Sequence, residues 1–86
     1  MGEGFQLKVL ILNTRGLNNP VKRVAIFDLL HKQGAHFAML QETHLVRRDV
    51  NRLSNRFFRI LAHYSATNKT KGVAIICHRN LHFKLV

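Results

Sequence analysis

Acidic residues are scarce: four Asp and Glu stand against 14 Lys and Arg in 86 residues, a formal net charge of +10. Such a surplus points to a polyanionic partner, nucleic acid first and an acidic membrane surface second. Cysteine is almost absent. The lone Cys77 can form no internal disulfide and cannot by itself hold zinc, which suits a reducing compartment. Long apolar runs are missing too: Val9 to Leu12, Phe37 to Leu40 and Val73 to Cys77 fall far short of the ~20 residues that cross a bilayer. No transmembrane segment or membrane partner is expected. Met1-Gly2-Glu3-Gly4-Phe5 has neither a basic region nor an apolar stretch of a signal peptide, and Gln6 stands where a myristoylation signal needs Ser or Thr. An intracellular location is therefore expected, and the Asn68-Lys69-Thr70 sequon reads as chance. Repeats and low-complexity segments are absent. With 47% apolar and 21% charged residues, the composition excludes a disordered tail and a collagen-like chain. A chain of this length folds as one small domain, burying roughly 60–65% of its unfolded surface.

What is present alternates between apolar runs and turn formers. Gln6 to Leu12 ends in consecutive aliphatic residues, the pattern of a strand covered on both faces. Asn13-Thr14-Arg15-Gly16 supplies the turn, and Asn19-Pro20 places a capping side chain before a proline suited to a first helical turn. The pattern predicts a helix from about Pro20 to Gln33, closed by Gly34. Val21, Ala25, Ile26, Leu29 and Leu30 share its apolar face, with Val24 and Phe27 outside it. Ala35 to Gln41 is a second apolar run, so the opening reads as a right-handed βαβ unit with parallel strands. Val46, Val50, Leu53 and Phe57 then recur at helical spacing, predicting a short helix with Arg48, Arg52 and Arg56 opposite and Arg47 beside it. From Phe58 the period becomes two, with Phe58, Ile60, Ala62 and Tyr64 on one side and Arg59, Leu61 and His63 on the other. Ser65 to Lys71 reads as a polar loop. Gly72 leads into Val73 to Cys77, completing an antiparallel hairpin, and Arg79 to Val86 reads as the start of a further strand.

Ligands of open parallel sheets gather at the carboxyl ends of strands, and Asn13 and Glu42 both lie there. Neighbouring strands are about 4.8 Å apart, so an amide oxygen and a carboxylate can converge on one cation. Mg²⁺ suits the place, being commonly held by one or two carboxylates, waters and the substrate's phosphate oxygens. In phosphodiester cleavage the ion would neutralise charge on the scissile phosphate and the leaving oxygen. A solvated glutamate and a turn asparagine are the bland reading of the same two residues.

The surrounding words carry more. Leu10-Ile11-Leu12-Asn13-Thr14-Arg15-Gly16-Leu17-Asn18, Leu40-Gln41-Glu42-Thr43-His44 and Lys71-Gly72-Val73-Ala74-Ile75-Ile76 resemble, in order, the first three motifs of the endonuclease/exonuclease/phosphatase superfamily. They are most similar to the apurinic-endonuclease-like domain of LINE-type retrotransposons, and the resemblance runs from about Gln6 to His78. It implies a fold class of α/β, the N-terminal portion of a two-layer DNase I-like sandwich that begins with a βαβ unit, followed by a short helix and a β-hairpin. It also implies Mg²⁺ as cofactor, with Glu42 as the metal-binding carboxylate and Asn13 in the same pocket, DNA as partner, retrotransposon target nicking as activity, and the nucleus as compartment. The family's later catalytic Tyr, Asp-x-Asn and Asp-His motifs have no counterpart in these residues. Of the remaining acids, Glu3 lies near the terminus, Asp28 on the helix and Asp49 among arginines, and His44 reads as a loop side chain. A partial domain, inactive alone, with an uncovered apolar sheet face, an unpaired last strand and a tendency to self-associate is the expectation.

Arg15, Arg47, Arg48, Arg52, Arg56, Lys69 and Lys71 are the candidate contacts to DNA phosphates. A small RNA-binding module is the rival class. Val9 to Asn13 and Lys71 to Ile76 resemble the two consensus segments of an RNA recognition motif, but Leu10, Val73 and Ile75 stand where bases need aromatic rings. A retroelement remnant without function is a further alternative.

Overall fold

The first apolar run becomes strand β1 (Val9–Asn13), starting later than expected because Gln6 to Lys8 are exposed and outside the strand. Helix α1 (Pro20–Lys32) begins as the sequence predicts: the Asn19 side chain accepts hydrogen bonds from the backbone N–H groups of Val21 and Lys22. It ends in a Schellman turn, where Ala35 N–H reaches Leu30 O at 3.0 Å and Gly34 N–H reaches His31 O at 3.0 Å. Gly34 takes the left-handed conformation (φ +72°) that this turn requires. The computed structural model describes residues 6–64 and 71–81. Most of the expected polar loop, with Lys69 and the sequon, and most of the expected final strand lie outside them.

Strands β2 (Phe37–Gln41), β3 (Phe58–Tyr64) and β4 (Val73–His78) join β1 in one mixed sheet of order β1-β2-β4-β3. β1 and β2 are parallel and linked by α1, while β2–β4 and β3–β4 are antiparallel. The architecture is thus a small α/β unit of one sheet and one α-helix among the described residues. Among the described residues β4 is internal and β1 and β3 are the edge strands, while most of the expected last strand lies outside them.

The register sorts the two faces, because residues directly paired across strands point the same way. Leu10, Leu12, Ala38, Leu40, Ala74 and Ile76 face α1, whose Phe27 and Leu30 complete the buried core. Burying each of the fully buried large side chains among them, Leu30, Leu40 and Ile76, contributes about 1.5–3 kcal/mol. The helix face differs from the expected one. Phe27, expected outside it, is buried, whereas Val21 (76% exposed), Ala25 and Leu29, expected on it, face outward, and Val24 lies outside it as expected. Apolar residues surround α1, so spacing alone could not say which side meets the sheet. On the other sheet face, Val9 and Ile11 (63% exposed) stand in the open beside half-buried Phe37, Met39 and Ile75.

Two further expectations change. The second helix is a 3-10 helix (Arg47–Leu53) that stops early. Its buried Val50 and Leu53 share a face because three residues make one turn. The Asn55 side chain then accepts from the N–H groups of Phe57 (2.9 Å) and Phe58 (2.8 Å), turning the chain into β3. In β3, Ile60 pairs with Ile76 and Ala62 with Ile75, leaving Leu61 as an extra residue in a bulge. The bulge splits the expected face: Phe58 and Ile60 point toward α1, Ala62 and Tyr64 away from it.

The end of the sheet remote from the β1 and β2 tips is aromatic. His31 stacks on Phe57 with centroids 3.8 Å apart, and His78 meets Phe58 edge-on at 5.1 Å. Asn80 N–H donates to His78 Nδ1 (3.1 Å), so neutral His78 carries its proton on Nε2 and donates it to His31 Nδ1 at 3.0 Å. Burial, reinforced by His31 and His36, holds the His78 pKa below its ordinary value. Burial likewise pushes the Cys77 thiol up, against a smaller opposing effect of Arg59, so it is a poor nucleophile.

Candidate active site at the strand tips

Parallel pairing brings Asn13 level with Gln41, so β1 and β2 end side by side. Beyond the strands the backbones stay tied: Thr14 N–H to Gln41 O at 2.9 Å, Gly16 N–H to Glu42 O at 2.7 Å and Leu17 N–H to Thr43 O at 2.8 Å. On the other flank, Thr43 N–H reaches Gly72 O at 3.1 Å and His44 N–H reaches Lys71 O at 3.0 Å. Three chain segments are thereby held together around Glu42. The Thr14 hydroxyl is buried between the carbonyls of Gln41 (2.9 Å) and Glu42 (3.1 Å) and donates to one of them.

The backbone here is unusual. Among the described residues, Arg15 (φ 51°), Glu42 (φ 52°) and His44 (φ 59°) are the non-glycine residues in the left-handed region, and all lie at these tips. Such conformations are held only where the surroundings over-determine them, and they cluster at functional sites. Gly16 (φ +100°) is required twice over, since a Cβ there would also fall 2.7 Å from His44 Nδ1. The His44 ring therefore lies against a bare backbone.

The side chains of the two predicted residues meet. Asn13 Nδ2 donates a hydrogen bond to Glu42 Oε2, while Asn13 Oδ1 accepts from Arg15 N–H at 3.2 Å. The amide thus presents its nitrogen, not its oxygen, to the carboxylate, and in this arrangement it positions Glu42. The second carboxylate oxygen, Oε1, lies 3.9 Å from His44 Nε2, with the side chains of Glu42 and His44 47% and 25% exposed. His44, read from sequence as a loop residue, is placed beside the carboxylate. Its carbonyl accepts from Asn18 Nδ2 at 2.9 Å, and Lys22 Nζ donates to Arg15 O at 3.3 Å.

A metal here would be bound by few protein groups. No cluster of three or more His, Cys, Asp or Glu side chains able to hold a metal occurs among the described residues. That donor set does not suit the closed tetrahedral shell of structural zinc. It does suit Mg²⁺, which keeps several waters and takes one carboxylate together with phosphate oxygens. Glu42, exposed and fixed in orientation by Asn13, is the residue that would hold it.

The basic residues divide. Arg15 is exposed at the tip itself, and Lys71 is exposed beside Glu42. Arg47 and Arg48 are exposed on the 3-10 helix, where Arg52 lies 3.6 Å from Asp49. Arg56 is not on that helix: its guanidinium lies 4.7 Å from the Phe57 ring centroid. Lys69 lies outside the described residues.

A cleft of about 410 Å³ opens next to Glu42, lined by Gln41, Glu42, Tyr64, Lys71, Gly72 and Val73. Sequence reasoning missed the part of Tyr64 in it, because the β3 bulge decides which way that ring faces. Thr14 and Thr43, both buried, were likewise unassigned, although each follows directly on a predicted site residue. Compared with models of known protein families, the chain matches none. No helix among the described residues is long and apolar enough to cross a membrane.

Proposed function

We propose that the joined tips of β1 and β2 are the magnesium corner of a DNA phosphodiesterase site of the endonuclease/exonuclease/phosphatase type, as LINE-type retrotransposons use to nick target DNA. The observation that carries this reading is the Asn13–Glu42 hydrogen bond across two parallel strand ends, at a tip with three left-handed residues. Bound Mg²⁺ would neutralise charge on the scissile phosphate and its leaving oxygen. The chain's own part is to hold the Glu42 carboxylate in one orientation through Asn13 and to draw the DNA backbone in through Arg15 and Lys71. Arg47, Arg48 and Arg52 extend this attraction along the flank, giving sequence-independent binding that weakens with salt.

No second carboxylate touches Glu42 in the described contacts, and His44 has no acid orienting it other than Glu42 itself. These 86 residues therefore bind metal and DNA without turnover. In the same reading, the apolar part of the open sheet face away from the tips, around Val9, Ile11, Phe37 and Met39, is where the second layer of a DNase I-like sandwich packs, and without it the chain self-associates. Supercoiled plasmid incubated with the chain and Mg²⁺ is expected to stay closed. Nicking that Glu42→Ala abolishes would show the site to be complete instead, and a monomer by analytical ultracentrifugation at high concentration would remove the self-association.

The RNA-recognition alternative has less support. Leu10 pairs with Ala38 on the α1-covered face, whereas Val73 and Ile75 pair with Gln41 and Met39 on the opposite one. The three positions that would stack bases do not share a surface.

A further inference from the structure

Four residues lie in one row across the strand tips: Asn13 pairs with Gln41, Gln41 with Val73, and Val73 with Tyr64. Directly paired residues face the same way, so Tyr64 rises on the open face in line with the proposed metal corner. Its ring is 72% exposed. Two strand spacings of about 4.8 Å put it roughly 10 Å from Gln41, a separation one or two nucleotides of a strand can cover. Between them lies the cleft, whose lining includes Glu42, Lys71 and Tyr64. An anionic metal ligand, an ammonium and a solvent-facing aromatic ring in one cleft match the three parts of a nucleotide strand, which are metal-bound phosphate, neighbouring phosphate and base.

We propose that this cleft holds an unpaired nucleobase stacked on Tyr64, with Lys71 on the adjoining phosphate, so that single-stranded or unpaired DNA is preferred to closed duplex. This rests on the nucleic-acid reading of the tips, but not on magnesium. Stacking on an aromatic ring tolerates any base, since every base has a π face, and its loss typically weakens binding about tenfold. Other exposed aromatic chemistry fits less well. The His31–His78 pair at the far end holds its ring nitrogens in a fixed donor and acceptor chain from Asn80, which leaves the neutral pair no free lone pair between the rings for a metal.

Tyr64 is the sole tyrosine, and the chain has no tryptophan, so tyrosine emission reports on this ring alone. The test titrates the 86-residue chain, at low salt with EDTA, with a ten-nucleotide oligo-dT and with an abasic oligomer of equal length and charge. Oligo-dT is expected to quench the emission and to bind at least fivefold more tightly than the abasic strand. By anisotropy of labelled oligomers, Tyr64→Phe keeps that preference and Tyr64→Ala loses it, while Lys71→Ala weakens both strands alike. Equal binding of the two oligomers, or a preference that survives Tyr64→Ala, overturns the proposal. Because no metal is present, failure of the magnesium site leaves these outcomes unchanged.

Discussion

The two ends of the sheet use similar residue types for opposite purposes. At one end His31 and His78 are packed against Phe57 and Phe58, and His31 Nδ1 and both ring nitrogens of His78 are engaged by each other and by Asn80. At the other, His44 lies on the bare backbone of Gly16 with Nε2 turned toward an exposed carboxylate. Packing decides the first arrangement and backbone shape the second. The aromatic end should therefore govern stability, and at the strand tips the exposed side chains, unlike the buried Thr14 and the tight Gly16, should be changeable with little effect on the fold.

Four substitutions and a pH series sharpen that contrast. Phe58→Ala removes a fully buried ring from the core and should cost about 3–5 kcal/mol in urea denaturation. A loss below 1 kcal/mol would mean that end is loosely packed. Gly16→Ala imposes a Cβ at φ +100° against the His44 ring. A destabilisation of about 1–3 kcal/mol is expected, with displaced His44 ring signals in NMR spectra. Thr14→Val removes the buried hydroxyl that donates to the part-buried carbonyls of Gln41 and Glu42, which keep their backbone donors, and should cost about 1 kcal/mol, read from the same denaturation curves.

The pH response belongs to the aromatic end. Burial and the neighbouring histidines lower the His78 pKa, so the unfolded chain takes up the proton first. Stability is fully present above the ordinary value of 6.5 and is lost as pH falls through it toward the folded pKa. Urea midpoints should drop between pH 7.5 and 5.5, and His78→Gln should flatten the drop. The smallest effect is expected at the tip itself. Glu42→Gln removes a half-exposed charge and should change stability by less than about 0.5 kcal/mol.

The same contrast explains what the sequence revealed. Asn13 and Glu42 were legible as neighbours because each closes an apolar run: Asn13 ends β1, Glu42 follows directly on β2, and the parallel pairing sets those two ends side by side. The Asn19 cap and Gly34 stop were legible because capping chemistry is local. The buried face of α1 was not, since Val21, Val24, Phe27 and Leu29 are equally apolar and only the sheet chooses among them. Arg56 was misplaced because the Asn55 turn, rather than hydrophobic spacing, ends the second helix. His44 and Tyr64 depended on a positive φ and on a bulge, neither of which leaves a periodic mark.

The claim on which the functional reading depends is that Glu42, steadied by Asn13, takes up magnesium. Amide chemical shifts followed through a Mg²⁺ titration test it most directly. The account predicts saturable shifts at Arg15, Glu42 and Thr43 that Glu42→Gln abolishes and Asn13→Ala weakens, with the aromatic end unmoved. Shifts absent at these residues, or unchanged in Glu42→Gln, would contradict it.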